Sequence, residues 1–541
     1  MPAVSASRSR LCSPLLVCLL FAVLAIQSVS AAPLPLAPAD LSLTRTQPIP
    51  HWNQLRELYA GFPGPYLWHD ADGNPDTPLI DSLLQALDTA VSQGLPASLY
   101  HDRQLTETQP VPTRDLLLSD ALLRLVNDMG RGRDVAHLDR LWHLPRPELD
   151  TLALAITALQ QRDPRQIIES LAPSALGYRQ LVERYQHYRL LAAQPALPEL
   201  PEMRLEPGDQ APEVPLLRSY LIRQGDAEPD PLADQTAPKL YDDQLVAAVR
   251  RFQQRQGLGV DGIVGPKTRA ALMEPLAGKL AQIEANLERW RWLPRNLGDR
   301  YLLVSPAGYF LDLVEDGVVR FHARTISGRP HRPTPSFQST LESLTVNPDW
   351  TVPRSIMRKD LIPKIVENPG WLAENNVRVE RFDEGRWRSQ DPMQVDWTNP
   401  GHIRLIQSPG PLNALGQMKF GMRNPFSIYL HDTPSKSLFE KPLRPFSSGC
   451  VRVEGIVALA QYLLAEDPRL SDWLSDAMFG PATSVRALAK PVPVYLVYLT
   501  AWVDPEGRLQ FRPDIYGLDR PLLARLKVPE VEPYSALAVN H

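Results

Sequence analysis

The spacing of apolar residues changes once along this chain, and that change limits what it can fold into. Leu79–Leu87, Leu116–Val126, Leu149–Leu159 and Tyr178–Leu191 carry apolar residues three and four apart, the period of a helix with one buried face. Gly94-Leu95-Pro96 and Asp163-Pro164 break that pattern into separate helices. From Tyr301 onward the pattern is different: Tyr301–Val304, Tyr309–Leu313 and Val318–Ala323 are short β-rich runs parted by Pro306-Ala307-Gly308 and Glu315-Asp316-Gly317, which predicts a β-meander. Further strands are expected at Ser343–Val346, Arg404–Ile406, Ser427–Leu430 and Val494–Leu499, with a helix over Ile456–Ala465. The fold class that follows is multidomain α+β. A chain of 541 residues has room for two to four cores. Its formal net charge of −4 gives no basic surface for nucleic acid or for a polybasic membrane contact.

The three cysteines are unevenly placed: Cys12 and Cys18 lie near the start, and Cys450 stands alone. Residues 1–32 read as an export signal, with Arg8 and Arg10 as the charged region, Leu15–Ile26 as the apolar run and Val29-Ser30-Ala31 before the cleavage point. The apolar run falls short of the about 20 residues of a spanning helix. An uncleaved anchor is the alternative. Cys18 lies inside the run rather than at its end, which argues against a lipoprotein. Cleavage would leave Cys450 as a single thiol in an oxidising compartment, the periplasm, where it has no disulfide partner within the chain. Catalysis gives such a thiol a reason to be kept.

The stretch Ile428–Val453 carries that chemistry. His431 ends a β-like run, and Cys450 follows Ser447-Ser448-Gly449. A free thiol, with a pKa of about 8.5, is only slightly ionised at neutral pH, and an imidazole can take its proton. A glycine before the nucleophile lets the backbone approach a carbonyl and turns amides toward an oxyanion. The pattern His431-Asp432-Thr433, then Arg444, then Ser447-Ser448-Gly449-Cys450-Val451-Arg452 resembles the signature of the L,D-transpeptidases. The resemblance implies Cys450 as nucleophile and His431 as base. Arg452 matches the family's arginine after the cysteine and is expected to hold a substrate carboxylate, with an internal ion pair as the alternative. Tyr429 is expected on the His431 side of the strand, lining the site. The amides of Gly449 and Cys450 are the candidate oxyanion donors. Ser448 stands among the substrate-binding residues, where many relatives have a second histidine. Asp432 or a backbone carbonyl is left to orient His431. A preformed imidazolium–thiolate pair would bring the thiol to about 6.5; otherwise His431 acts as a neutral base.

The remaining segments resemble parts of the large Gram-negative members of this family. Residues 33–200 resemble their helical scaffold. His51, His69, His101, His137 and His143 are scattered there without metal-ligand spacing. Residues 205–276, with Phe252-Gln253, Gly257-Leu258 and Asp261-Gly262-Ile263-Val264-Gly265, resemble the three-helix peptidoglycan-binding domain, which either binds glycan or serves as a docking element. Residues 298–500 form the expected catalytic domain, and 501–541 a C-terminal segment. Residues 353–401, with Trp371, Trp387 and Trp397, form an insertion that caps the substrate groove in large relatives; packing the insertion down is the plainer role of its tryptophans. The reaction implied is a 3→3 cross-link between tetrapeptide stems through a Cys450 thioester, with loss of D-Ala and no metal or cofactor. Carbapenems are the expected inhibitors. Hydrolysis of the same thioester by an L,D-carboxypeptidase or endopeptidase, or a non-catalytic wall-binding role, are the alternatives. The expected partners are peptidoglycan stems and glycan, with a glycan synthase or carboxypeptidase as a further candidate.

Overall fold

The computed structural model describes residues 52–229 and 239–527; the export signal expected over 1–32 lies outside them, as does His51. The helical region is built around Val111–Arg131, whose residues from Asp115 to Gly130 are all buried. Its polar positions survive burial because each finds a partner. Asp115 accepts from the Leu67 and Trp68 amides, the Tyr59 hydroxyl and the His69 ring, and Asp120 pairs with His101 and Arg124. Thr77–Ser92, Thr151–Gln161 and Pro164–Ser170 pack around it, each started by an aspartate whose carboxylate accepts a first-turn amide.

The small module consists of Val214–Arg223, Asp243–Arg255 and Pro266–Leu272 around Leu217, Leu221, Val249 and Phe252. Gln253 explains the Phe-Gln and Asp-Gly pairing of its sequence. Its amide donates to Asp261, Thr268 and the Ile263 carbonyl, and its oxygen accepts from the Asp261 and Gly262 amides, which locks the turn.

A helix over Leu276–Arg291, absent from the sequence reading, joins this module to the catalytic domain. Its Glu288, Arg289 and Arg291 are buried, which a solvent-exposed reading of charged residues misses. Arg289 pairs with Asp519 and Asp139, and Arg291 with Glu288, which also accepts from Trp292 and the Arg133 amide. Residues far apart in the chain thus supply the counter-charges that make burial tolerable.

Among the described residues fifteen strands follow, as β1 Arg300–Ser305, β2 Phe310–Glu315, β3 Val318–Gly328, β4 Phe337–Val346, β5 Trp350–Thr351, β6 Val377–Asp383, β7 Arg386–Gln390, β8 Ile403–Gln407, β9 Met418–Met422, β10 Leu430–His431, β11 Pro445–Ser447, β12 Val451–Val453, β13 Ser484–Leu496, β14 Ala501–Val503 and β15 Leu509–Phe511. The meander β1–β2–β3 is antiparallel as expected. The main sheet runs β11-β3-β12-β10-β9-β4-β13-β1-β2, and the helix Ile456–Leu464 packs on the core that contains Leu430, Val451 and Phe420.

Four expectations are corrected. The run Ser427–Leu430 is not a strand throughout: Ser427 has φ 55° and Asn424 brackets the bend by accepting from the Phe426 and Ile428 amides, so only Leu430 and His431 pair. The run Val494–Leu499 belongs to a strand that begins at Ser484 and ends at Leu496. Arg404–Ile406 does form a strand, but in a separate sheet, β5-β8-β6-β7, so the insertion reaches from Trp350 to Gln407 and has its own core. Strand propensity identifies a strand and leaves its partner open. Finally, residues 501–527 of the expected C-terminal segment are integral to the catalytic domain: Tyr516 stacks on Tyr498, and its hydroxyl donates to the Gly328 carbonyl.

Candidate active site

Two short strands carry the site. β10 and β12 are parallel neighbours, with Leu430 opposite Val451 and His431 opposite Arg452. Leu430 and Val451 point into the core. Alternation therefore sends His431 and Arg452 to the other face, together with Tyr429 and Cys450 two residues earlier on each chain. On the far side β9 places Lys419 opposite His431. The same face thus holds a thiol, an imidazole, a phenol and two cations.

The geometry around His431 fixes its state. Its Nδ1 donates to the backbone carbonyl of Asp432 at 2.5 Å, leaving Nε2 as the free base. Burial pushes the imidazole down to about 3, helped by the positive charges of Arg452 and Lys419, while the Asp432 carbonyl works in the opposite direction. Burial likewise pushes the Cys450 thiol up, against the lowering effect of Tyr429, Arg452 and Lys419. The resting pair is therefore neutral thiol and neutral imidazole, not an ion pair. The group that orients His431 is the carbonyl of Asp432; its carboxylate accepts from the Gln417 amide and from Lys436.

Tyr429 lies where the sequence placed it, with its ring 5.6 Å from that of His431 and its side chain in hydrogen-bonding reach of Cys450. The sulfur itself lies 3.7 Å from the Ser427 carbonyl. Arg452 makes no ion pair among the described residues, and its buried Nε has no acceptor. Burial, then the charge of Arg329, lowers its pKa. The internal ion pair is thereby excluded in this conformation, and an unneutralised cation faces the site.

The loop before the thiol is braced from within. Gly449 has φ +120°, a conformation that an L side chain rarely adopts. Its amide donates to Ser447 Oγ, and Ser447 Oγ in turn donates to the Cys450 carbonyl at 2.6 Å. Gly449 is therefore not available as an oxyanion donor here. The Cys450 amide has no acceptor among the described residues and remains the candidate. Ser448 is exposed and accepts from Arg332, which also grips Asp360 of the insertion. Sequence reading missed Ser447, Lys419 and Arg332; only Ser447 had a signal, as a hydroxyl three residues before the thiol.

This face of the sheet brings a thiol and an imidazole together on neighbouring strands. Residues 299–486 match the L,D-transpeptidase catalytic domain, residues 53–184 a scaffold domain, and residues 210–272 a putative peptidoglycan-binding domain. A putative L,D-transpeptidase of Haemophilus influenzae is 35% identical over 237 residues, 43% of this chain and 47% of that protein. The chain thus spans about half the length of the curated relative it matches, and the likeness to L,D-transpeptidases is carried by residues 299–486. Among solved structures, an L,D-transpeptidase from Xylanimonas cellulosilytica aligns at 19% identity over 56% of this chain and 100% of that one, TM-score 0.17. One from Mycobacterium smegmatis aligns at 13% identity over 37% and 58%, TM-score 0.17.

Proposed function

We propose that the protein cross-links peptidoglycan stems 3→3 through a thioester on Cys450, acting in the periplasm. The observation that carries this reading is the neutral His431, oriented by the Asp432 carbonyl, on the same sheet face as Cys450 and the unpaired Arg452. The stem peptide enters with a carboxylate on Arg452. Cys450 attacks the carbonyl of the third residue of a tetrapeptide while its proton passes to His431 Nε2, and the Cys450 amide faces the oxyanion. Collapse breaks the peptide bond, and the D-Ala amine leaves with the proton from His431. The amine of a second stem then attacks the thioester, gives a proton to His431, and releases the thiol as that proton returns to sulfur. The substrate's negative charge offsets Arg452 and Lys419, which raises the basicity of His431 when it is needed. The insertion, tied through Asp360 and Arg332 to Ser448, acts as the lid of the groove.

The test is incubation of the purified protein with tetrapeptide-rich sacculi. New 3→3 dimers with released D-Ala, absent for Cys450→Ala, are expected. Release of D-Ala as tripeptides without dimers would replace cross-linking by hydrolysis, and dimers formed by Cys450→Ala would overturn the thiol mechanism.

A further inference from the structure

A cavity of about 640 Å³ lies between the module's Gly257–Val260 loop, the start of β2 and the β14–β15 hairpin. Cys450, His431, Tyr429 and Arg452 do not line it, so it is separate from the site above. Two guanidinium groups, those of Arg444 and Arg512, stand in its wall, which also holds the carboxylates of Glu440, Asp504 and Glu506. Arg444 donates to the carbonyls of Thr325, Lys441 and Tyr309. Arg512 donates to the carbonyls of Arg255 and Phe511, and its buried Nε has no acceptor. Neither forms an ion pair among the described residues, because the nearby carboxylates are taken: Asp504 and Glu506 by Arg508, and Glu440 by Arg324.

Burial and then the charge of a neighbouring arginine make both groups reluctant cations. Arg512 is pushed down to about 9, chiefly by burial and next by Arg444, and Arg444 to about 10, by burial and then by Arg324. Trp502 under Arg512 at 5.0 Å and Tyr309 under Arg444 at 5.2 Å offset part of that cost. A bound anion would offset the rest.

We propose that this cavity is a second binding site, in which Arg444 and Arg512 receive a carboxylate of a peptidoglycan stem peptide. The anion chemistry rests on the arginines alone, and the choice of stem peptide rests on the proposed function. The volume is that of a peptide-sized ligand rather than a single ion. Trp502 and Phe310 give it an apolar wall, and a guanidinium fork matches a carboxylate. The site would hold one stem at the junction of module and catalytic domain while another occupies the groove at Cys450.

The experiment uses the full chain with Cys450 acylated by a carbapenem, so that the groove is blocked, and titrates it with a disaccharide tetrapeptide by calorimetry. One bound ligand is expected. Arg512→Gln should weaken it about tenfold or more while acylating at the wild-type rate. Gly259→Glu supplies a second variant: Gly259 lines the cavity with nothing within 4 Å of an added Cβ, so the fold should accept it and the new carboxylate should repel the ligand. No binding to the acylated chain, or wild-type affinity in the folded variants, overturns the proposal. Displacement by inorganic phosphate at equal concentration also overturns it, since the site would then be a generic anion hole. If the carbapenem does not acylate the chain, the proposed reaction fails, and the same titration on Cys450→Ala, with and without Arg512→Gln, still decides the cavity.

Discussion

His431 lies directly across the parallel β10–β12 pair from Arg452, and the guanidinium has no carboxylate partner among the described residues. Burial makes the imidazole a weak base, and the charge of Arg452 makes it weaker still. That arrangement also sets which experiments separate a preformed ion pair from a neutral base.

Alkylation of the resting enzyme reads the thiol. Because burial raises Cys450 and His431 carries no charge, the iodoacetamide rate should have its midpoint above about 8.5. His431→Ala should leave the rate at pH 6.5 unchanged. A midpoint near 6.5 that disappears in His431→Ala would restore the ion pair.

Removing the neighbouring charge should free the imidazole. In Arg452→Gln the His431 titration, followed by NMR of the ring nitrogens, should move up from about 3. At the same time kcat/KM for the tetrapeptide should fall about tenfold or more through loss of a charged hydrogen bond. An unmoved titration would show that burial alone sets the base.

The same burial gives stability a defined pH dependence. The folded-state pKa is about 3, against about 6.5 for an unperturbed histidine. Between those values the unfolded chain binds the extra proton, so the contribution is complete above about 6.5 and is lost as pH falls toward 3. Chemical denaturation of His431→Gln should show a flatter acid limb than wild type. Parallel acid limbs would count against a buried neutral imidazole.

Asp432 should matter for structure more than for chemistry. Its carbonyl, which any residue has, orients His431, whereas its carboxylate ties down Gln417 and Lys436. Asp432→Asn is expected to cost about 1–3 kcal/mol of stability. Its carbapenem acylation should fall far less than the 10²–10⁴-fold, in order of magnitude, that loss of a general base costs. A fall of that full size would mean that the carboxylate itself takes part.

The tie between insertion and active loop is only partly covered from solvent, and such pairs are worth about 1 kcal/mol. Arg332→Ala should therefore raise hydrogen exchange in residues 350–407 by up to about fivefold. Unchanged exchange would mean that other contacts hold the insertion in place.

The apolar periods located the helices Thr77–Ser92, Val111–Arg131, Thr151–Gln161 and Leu176–Ala192, and the β-rich runs located the meander, because local burial patterns are written in neighbouring residues. The single late cysteine and the His-Asp-Thr and Ser-Ser-Gly-Cys-Val-Arg boxes pointed to Cys450 and His431 for the same reason: turn-forming glycine and reactive side chains are local features. Partnership was not legible. Strand β8 looked like any other strand until its neighbours placed it in the insertion, and the helix Leu276–Arg291 looked solvated until Asp139 and Asp519 came to meet Arg289. The charge state of the site belongs to that second kind of information. His431 is neutral because the sheet buries it and because β12 and β9 set Arg452 and Lys419 beside it, and Gly449 is removed as a donor because Ser447 folds back onto it. Residue types determined which groups could react. Long-range pairing decided which of them are buried, charged or free, since Coulomb and desolvation energies depend on distances that only the folded chain sets.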